Sequence, residues 1–247
     1  MNDPLTEPNR SRPAVSSAAA WLVFAAGVCA ALHVGKLPPA IATLRAALGM
    51  TLLEAGFLLS LVQAAGMLAG IVFGLLADAI GLRRSMLIGL ALLAGASALG
   101  ALADGVPWLL ALRAVEGFGF LMVVLPAPGL IRRLVAPQRL DLMLGVWGTY
   151  MPLGAALALL AGPLCIAAFG WPVWWAALGA LSALMALLLQ RCVADAPSPA
   201  MPMATAARPA GVPARLARTL RAPGPWLVAL AFALYSCLLY TSPSPRD

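Results

Sequence analysis

The chain has 247 residues, of which 62% are hydrophobic and only 10% charged. That composition excludes an ordinary water-soluble domain, which could not bury so much apolar surface. The formal net charge of +7 needs no nucleic-acid partner, because the basic residues fall between long apolar runs, as membrane proteins place them.

No ionised residue occurs from Pro13 to Gly35, from Ala55 to Ala77, from Ser85 to Ala103, or from Leu142 to Gln190. A helix needs roughly 20 apolar residues to cross a hydrocarbon core of about 30 Å. Backbone polar groups there must bond within the segment, so helices are the default. The predicted spans are 18–38, 55–77, 86–103, 107–130, 142–162, 171–190 and a partial seventh at 225–240. Gly170-Trp171-Pro172 marks the break between the fifth and sixth. The first apolar run lacks a small-residue cleavage site before a soluble domain, so it is expected to be a retained helix. Around the spans, 1–17 reads as an amino-terminal tail, 18–192 as a six-helix bundle and 193–224 as a Pro/Ala/Arg-rich linker. Residues 241–247 read as a non-native tail on a truncated chain.

Lys and Arg are distributed unevenly among the loops. Twelve (Arg10, Arg12, Arg83, Arg84, Arg132, Arg133, Arg139, Arg191, Arg208, Arg215, Arg218 and Arg221) would share one side, and Lys36 and Arg45 the other. The amino terminus is therefore expected in the cytoplasm. Cys29, Cys165, Cys192 and Cys237 show neither metal nor redox spacing and read as packing residues. No metal site and no cofactor are expected. A polytopic membrane enzyme, the remote alternative, would need clustered acids, a nucleophile with a base, or metal ligands.

An internal echo links the two halves of the bundle. Leu37-Pro38-Pro39 closes the first helix and Leu125-Pro126-Ala-Pro128 closes the fourth. Three helices repeated as three more from the opposite face is the inverted-repeat plan of many secondary transporters.

Arg113 and Glu116 are the ionised pair predicted within a span. Three positions apart, they share a helix face. Each charge at membrane depth costs on the order of 2.5–3.5 kcal/mol and usually faces a bundle interior or cavity. Either they pair near the interface as a packing device, or they serve a cavity in coupling or anion attraction. His33 and Lys36 form a second such pair near the outer end of helix one. Lys36 would snorkel to water or, with His33, face a substrate. Tyr150 is a further cavity candidate, whereas Trp171, Trp174 and Trp175 read as an interfacial belt.

The loop Gly74-x-x-x-Asp78-x-x-Gly81-x-Arg83-Arg84 resembles the signature between helices two and three of the major facilitator superfamily. Arg113-Ala-Val-Glu116-Gly117-Phe-Gly119 resembles that family's helix-four element. The resemblance covers about residues 18–235. It implies an all-α membrane fold and secondary active transport of a small solute by alternating access. It also implies a conformational latch at Gly74, Asp78, Gly81, Arg83 and Arg84, a proton-linked role for Arg113, and a carboxyl-terminal half beyond this chain. His33-Val-Gly-Lys36-Leu-Pro-Pro and Trp147-Gly-Thr-Tyr-Met-Pro152-Leu-Gly154 resemble the cyanate/nitrate-related anion branch most. The expected partners are thus the lipid bilayer, a small solute or ion and protons in symport, in a bacterial inner membrane. The competing reading is a non-functional fragment, or a half-transporter that needs a partner chain.

Overall fold

The computed structural model describes residues 17–62, 64, 80–193 and 220–241. Every element among them is helical. The first is α1 (Ser17–Gly35), followed by a 3-10 turn (Pro38–Ala40), α2 (Ile41–Leu48) and α3 (Leu52–Val62). Next come α4 (Leu82–Gly100), α5 (Val106–Val124), α6 (Ala127–Leu134) and α7 (Pro137–Trp147). The last are α8 (Tyr150–Phe169), α9 (Trp171–Cys192) and α10 (Pro223–Thr241). Five described stretches are long and apolar enough to cross a membrane: Ser17–Leu48, Leu82–Gly100, Val106–Leu134, Pro137–Phe169 and Trp171–Cys192. Most of the expected second span, 55–77, lies outside the described residues, and α3 forms its beginning.

Local chemistry explains the boundaries. Pro38 and Pro39 lack N–H groups, so they cannot continue the α1 ladder, and a 3-10 turn takes over. At α3, Thr51 and Glu54 make a reciprocal cap: the Thr51 N–H donates to Glu54 Oε2 at 2.8 Å and the Glu54 N–H to Thr51 Oγ1 at 3.2 Å. Those bonds from Thr51 hold the exposed Glu54 carboxyl below its ordinary value. Gly170 separates α8 from α9 at φ 85°, a left-handed conformation that suits a residue without a Cβ. The expected break at Gly170-Trp171-Pro172 is thus present. The proline echo also has a structural counterpart. A 19-residue α1 is followed by a break and the 8-residue α2, and a 19-residue α5 by a break and the 8-residue α6.

Within the bundle, α4 packs on α5 and α9, and α1 packs on α8 and α9. Two apolar clusters form. One gathers Val23, Leu90, Val123, Ile131, Trp147 and Leu189, and the other gathers Leu37, Leu44, Leu58, Leu109, Trp171 and Trp175. On α1, α5 and α9 the chain passes from one cluster to the other across polar residues: His33, Glu116 and Ser182. The bundle thus has two dry halves and a polar layer between them. Leu153, Leu157, Leu160 and Leu164 form an exposed stripe on α8, the apolar surface that a bilayer covers.

Three tryptophans correct the sequence reading. Trp171, Trp174 and Trp175 do not form an interfacial belt; they are only 8%, 6% and 2% exposed. The first turns of α9 tuck under the turn after α1, where Trp174 Nε1 donates to the Lys36 carbonyl at 3.4 Å. A buried indole N–H needs such a partner.

The described residues up to 193 and those from 220 to 241 belong to two separate compact units. In the second, Trp226 Nε1 donates to the Leu220 carbonyl at 2.7 Å just before and within α10.

Candidate functional site

The polar layer is built where α1 ends. Pro38 supplies no N–H to the Val34 carbonyl, which a continuing helix would have satisfied. Arg113, reaching across from α5, provides donors instead: Nη1 to the His33 carbonyl at 2.5 Å and Nη2 to the Val34 carbonyl at 3.5 Å. The C-terminal end of a helix carries partial negative charge, so a guanidinium is favoured there. Arg113 Nε also approaches the Leu58 carbonyl of α3 at 3.4 Å.

Arg113 Nη1 bonds Glu116 Oε2 at 2.7 Å, confirming the pair on one face of α5. Glu116 lies well inside the 19-residue helix, not near its end. Both side chains are buried, at 3% and 2% exposure.

Lys36 is the largest correction to the sequence reading. It does not snorkel from an outer loop; it is wholly buried. Its Nζ donates to Glu116 Oε1 and, at 3.0 Å, to Ser97 Oγ on α4. The ammonium also sits 4.6 Å from the centroid of the Trp175 ring, within cation–π range. Of the two basic residues that the charge count set opposite the other twelve, Lys36 is therefore buried in the bundle and not in a loop.

His33 completes the layer. Its Nε2 is 2.7 Å from Ser182 Oγ on α9, and Ser182 Oγ is 3.4 Å from Cys29 Sγ. Its Nδ1 stands 3.6 Å from Glu116 Oε1 and has no hydrogen-bond partner among the described residues. The Ser97 hydroxyl in turn donates a hydrogen bond to the Trp175 carbonyl at 2.8 Å. One carboxylate therefore lies between the Lys36 ammonium and the Arg113 guanidinium, enclosed by α1, α4, α5 and α9.

Of the sequence candidates, Arg113, Glu116, Lys36 and His33 meet at this point. Tyr150 does not: it stacks on Trp147 with centroids 4.4 Å apart and packs against the apolar cluster of Val23, Leu90 and Trp147. Ser97, Ser182, Trp175 and Cys29 were not picked out as site residues by the sequence. The serines and Cys29 carry one signal, a polar group inside an apolar helix; Trp175 carries none.

Among the loop residues, Gly74 and Asp78 lie outside the described residues. Gly81 has φ 99° and precedes α4 directly. Arg83 Nη2 donates to the Gln190 carbonyl at 2.6 Å, joining the start of α4 to the last turn of α9. Arg84 is exposed.

A family model, the Major Facilitator Superfamily, matches residues 23–244. The chain belongs to the Major Facilitator Superfamily. A comparison with curated proteins finds no match. This superfamily member is an integral membrane protein of a transporter family, and its fold is all-α as the sequence indicated. The family match spans the helices that carry the buried charges, so the polar layer lies within the matched region.

Proposed function

We propose that the chain supplies the amino-terminal bundle of a secondary transporter that moves a small anionic solute by alternating access. The cavity would lie between this bundle and a second one, and movement would be coupled to protons in symport. One observation carries the anion reading. Among the described residues, Lys36 and Arg113 share the single carboxylate of Glu116, leaving one positive charge in excess among them at a buried site. Such an excess is costly in an apolar interior and favours a negative solute as its counter-charge. Protonation of Glu116 would release Arg113 toward that solute, which gives proton–anion symport a simple route. The residues Gly74, Asp78, Gly81, Arg83 and Arg84 would latch the two bundles on the cytoplasmic side.

Uptake of small anions into proteoliposomes of the transporter tests the reading. Lys36→Gln removes the excess charge but keeps the Arg113–Glu116 pair, so anion uptake should fall at least tenfold at unchanged protein level. Glu116→Gln keeps an acceptor oxygen but cannot ionise, so it should flatten the pH dependence of uptake. Normal anion transport by Lys36→Gln would remove the main support for an anionic solute.

The proposed location is a bacterial inner membrane with the amino terminus in the cytoplasm, because the basic residues gather on that side. In a background without native cysteines, an impermeant thiol reagent applied outside should label Asp104→Cys and leave Ser198→Cys untouched. The reverse labelling would overturn the orientation.

A further inference from the structure

Two donors address the same oxygen of Glu116, and only one of them reaches it. Lys36 Nζ occupies Oε1, while His33 Nδ1 waits 3.6 Å away without a partner among the described residues. We propose that His33 is a reserve donor to Glu116, whose Nδ1–H takes over Oε1 when Lys36 leaves it for an anionic solute. The proposal rests on the anion reading above.

The ring's proton placement follows from its surroundings. An Nδ1 lone pair facing a carboxylate at that distance would be repelled, whereas an N–H is attracted. Nδ1 therefore carries the proton, and Nε2 accepts from the Ser182 hydroxyl at 2.7 Å. Ser182 Oγ in turn can accept from the Cys29 thiol at 3.4 Å. Every donor in the row Cys29, Ser182, His33 then points toward Glu116.

Among the described residues, the ionisable groups around the ring are Lys36 after α1, Arg113 and Glu116 on α5, and Cys29 on α1. From α9, the Ser182 hydroxyl bonds it. The exchange moves no proton between heavy atoms; one hydrogen bond to Oε1 replaces another. Its effect is to keep the carboxylate doubly held, by Arg113 and His33, in the interval after the ammonium has left and before a proton reaches Glu116 and releases Arg113, since a buried acceptor left short of donors is costly. His33 is thus a positioning residue rather than a contact for the solute.

His33 is the one histidine of the chain, so histidine-selective nitrogen and carbon labelling reports it without assignment, provided the purification tag contains none. The full chain in lipid nanodiscs should give a neutral ring with the proton on Nδ1 and an acceptor-type Nε2. Lys36→Met stands in for the departed ammonium and should shift the Nδ1 proton downfield as it bonds Glu116. Adding Glu116→Gln should shrink that shift. A proton on Nε2 in the unmodified chain, or an imidazolium, overturns the proposal even if neither variant folds. A Lys36→Met shift that persists with Glu116→Gln overturns it as well. No solute enters these measurements, so failure here is distinct from failure of the anion reading.

Discussion

Glu116→Ala should loosen the bundle more than any other change in the polar layer. The carboxylate holds Arg113 through Oε2 at 2.7 Å and Lys36 through Oε1. Both cations are buried, and neither has another carboxylate among its described bonds. Removing one partner of a buried ionic group typically costs about 3–5 kcal/mol, because the remaining charge stays desolvated and uncompensated. Here two charges would be stranded together and would repel each other. The chain cannot relieve this by exposing Lys36, since its carbonyl is tied to Trp174 and its ammonium is enclosed by α4, α5 and α9. The measurement is the fraction of purified protein that stays monodisperse after heating in detergent. Glu116→Ala should lose this fraction at a clearly lower temperature than Glu116→Gln, which keeps one acceptor. Replacing Lys36, Arg113 and Glu116 all by Met should recover much of the loss, because no unpaired charge then remains. Unchanged heat resistance in Glu116→Ala would show that the carboxylate does not compensate these cations.

The same cluster marks where sequence reading stops. The spans were legible because charge-free runs and proline breaks are properties of contiguous residues, and the Pro38 and Gly170 interruptions fall where expected. The Arg113–Glu116 pair was legible because three positions along a helix place both on one face. Lys36 meets Glu116 across 80 positions of chain, and no periodicity encodes that meeting. Its place near a helix end favoured the snorkelling reading, which fails because Trp174 and Trp175 of α9 close over the turn that carries it. Trp171, Trp174 and Trp175 misled for a related reason. They stand at the start of a span, as belt residues do, yet that start packs under a neighbouring turn. Ser97 and Ser182 are single hydroxyls in apolar helices, and only a partner from another helix gives either a role.

Close glycine contacts set how near the helices of this layer can come. A Cβ added at Gly89 on α4 would lie 2.6 Å from the Gly119 carbonyl oxygen and 2.9 Å from both Met122 Cβ and Val123 Cγ2. One added at Gly119 would lie 2.9 Å from the Gly89 carbonyl oxygen. The obstacle on each side is helix backbone, which cannot rotate away as the end of a long side chain can. Gly89→Leu should therefore force α4 and α5 apart, where overpacking alone costs about 1–3 kcal/mol and backbone displacement adds to it. Van der Waals packing is a main force between membrane helices, so that loss has few substitutes. Ser97 is about two turns, on the order of 12 Å, further along α4, and the Lys36–Ser97 bond should lengthen with the separation. Gly95 provides the control. It lies on the exposed side of α4, and a Cβ there meets nothing within 4 Å. Gly95→Ala should be neutral or slightly stabilising, since Ala is the better helix former by about 1 kcal/mol in water. Heat resistance in detergent should thus fall sharply for Gly89→Leu and hold for Gly95→Ala. Equal behaviour of the two would mean that the Gly89–Gly119 approach does not hold α4 against α5, and that the charged layer is kept together by its own bonds alone.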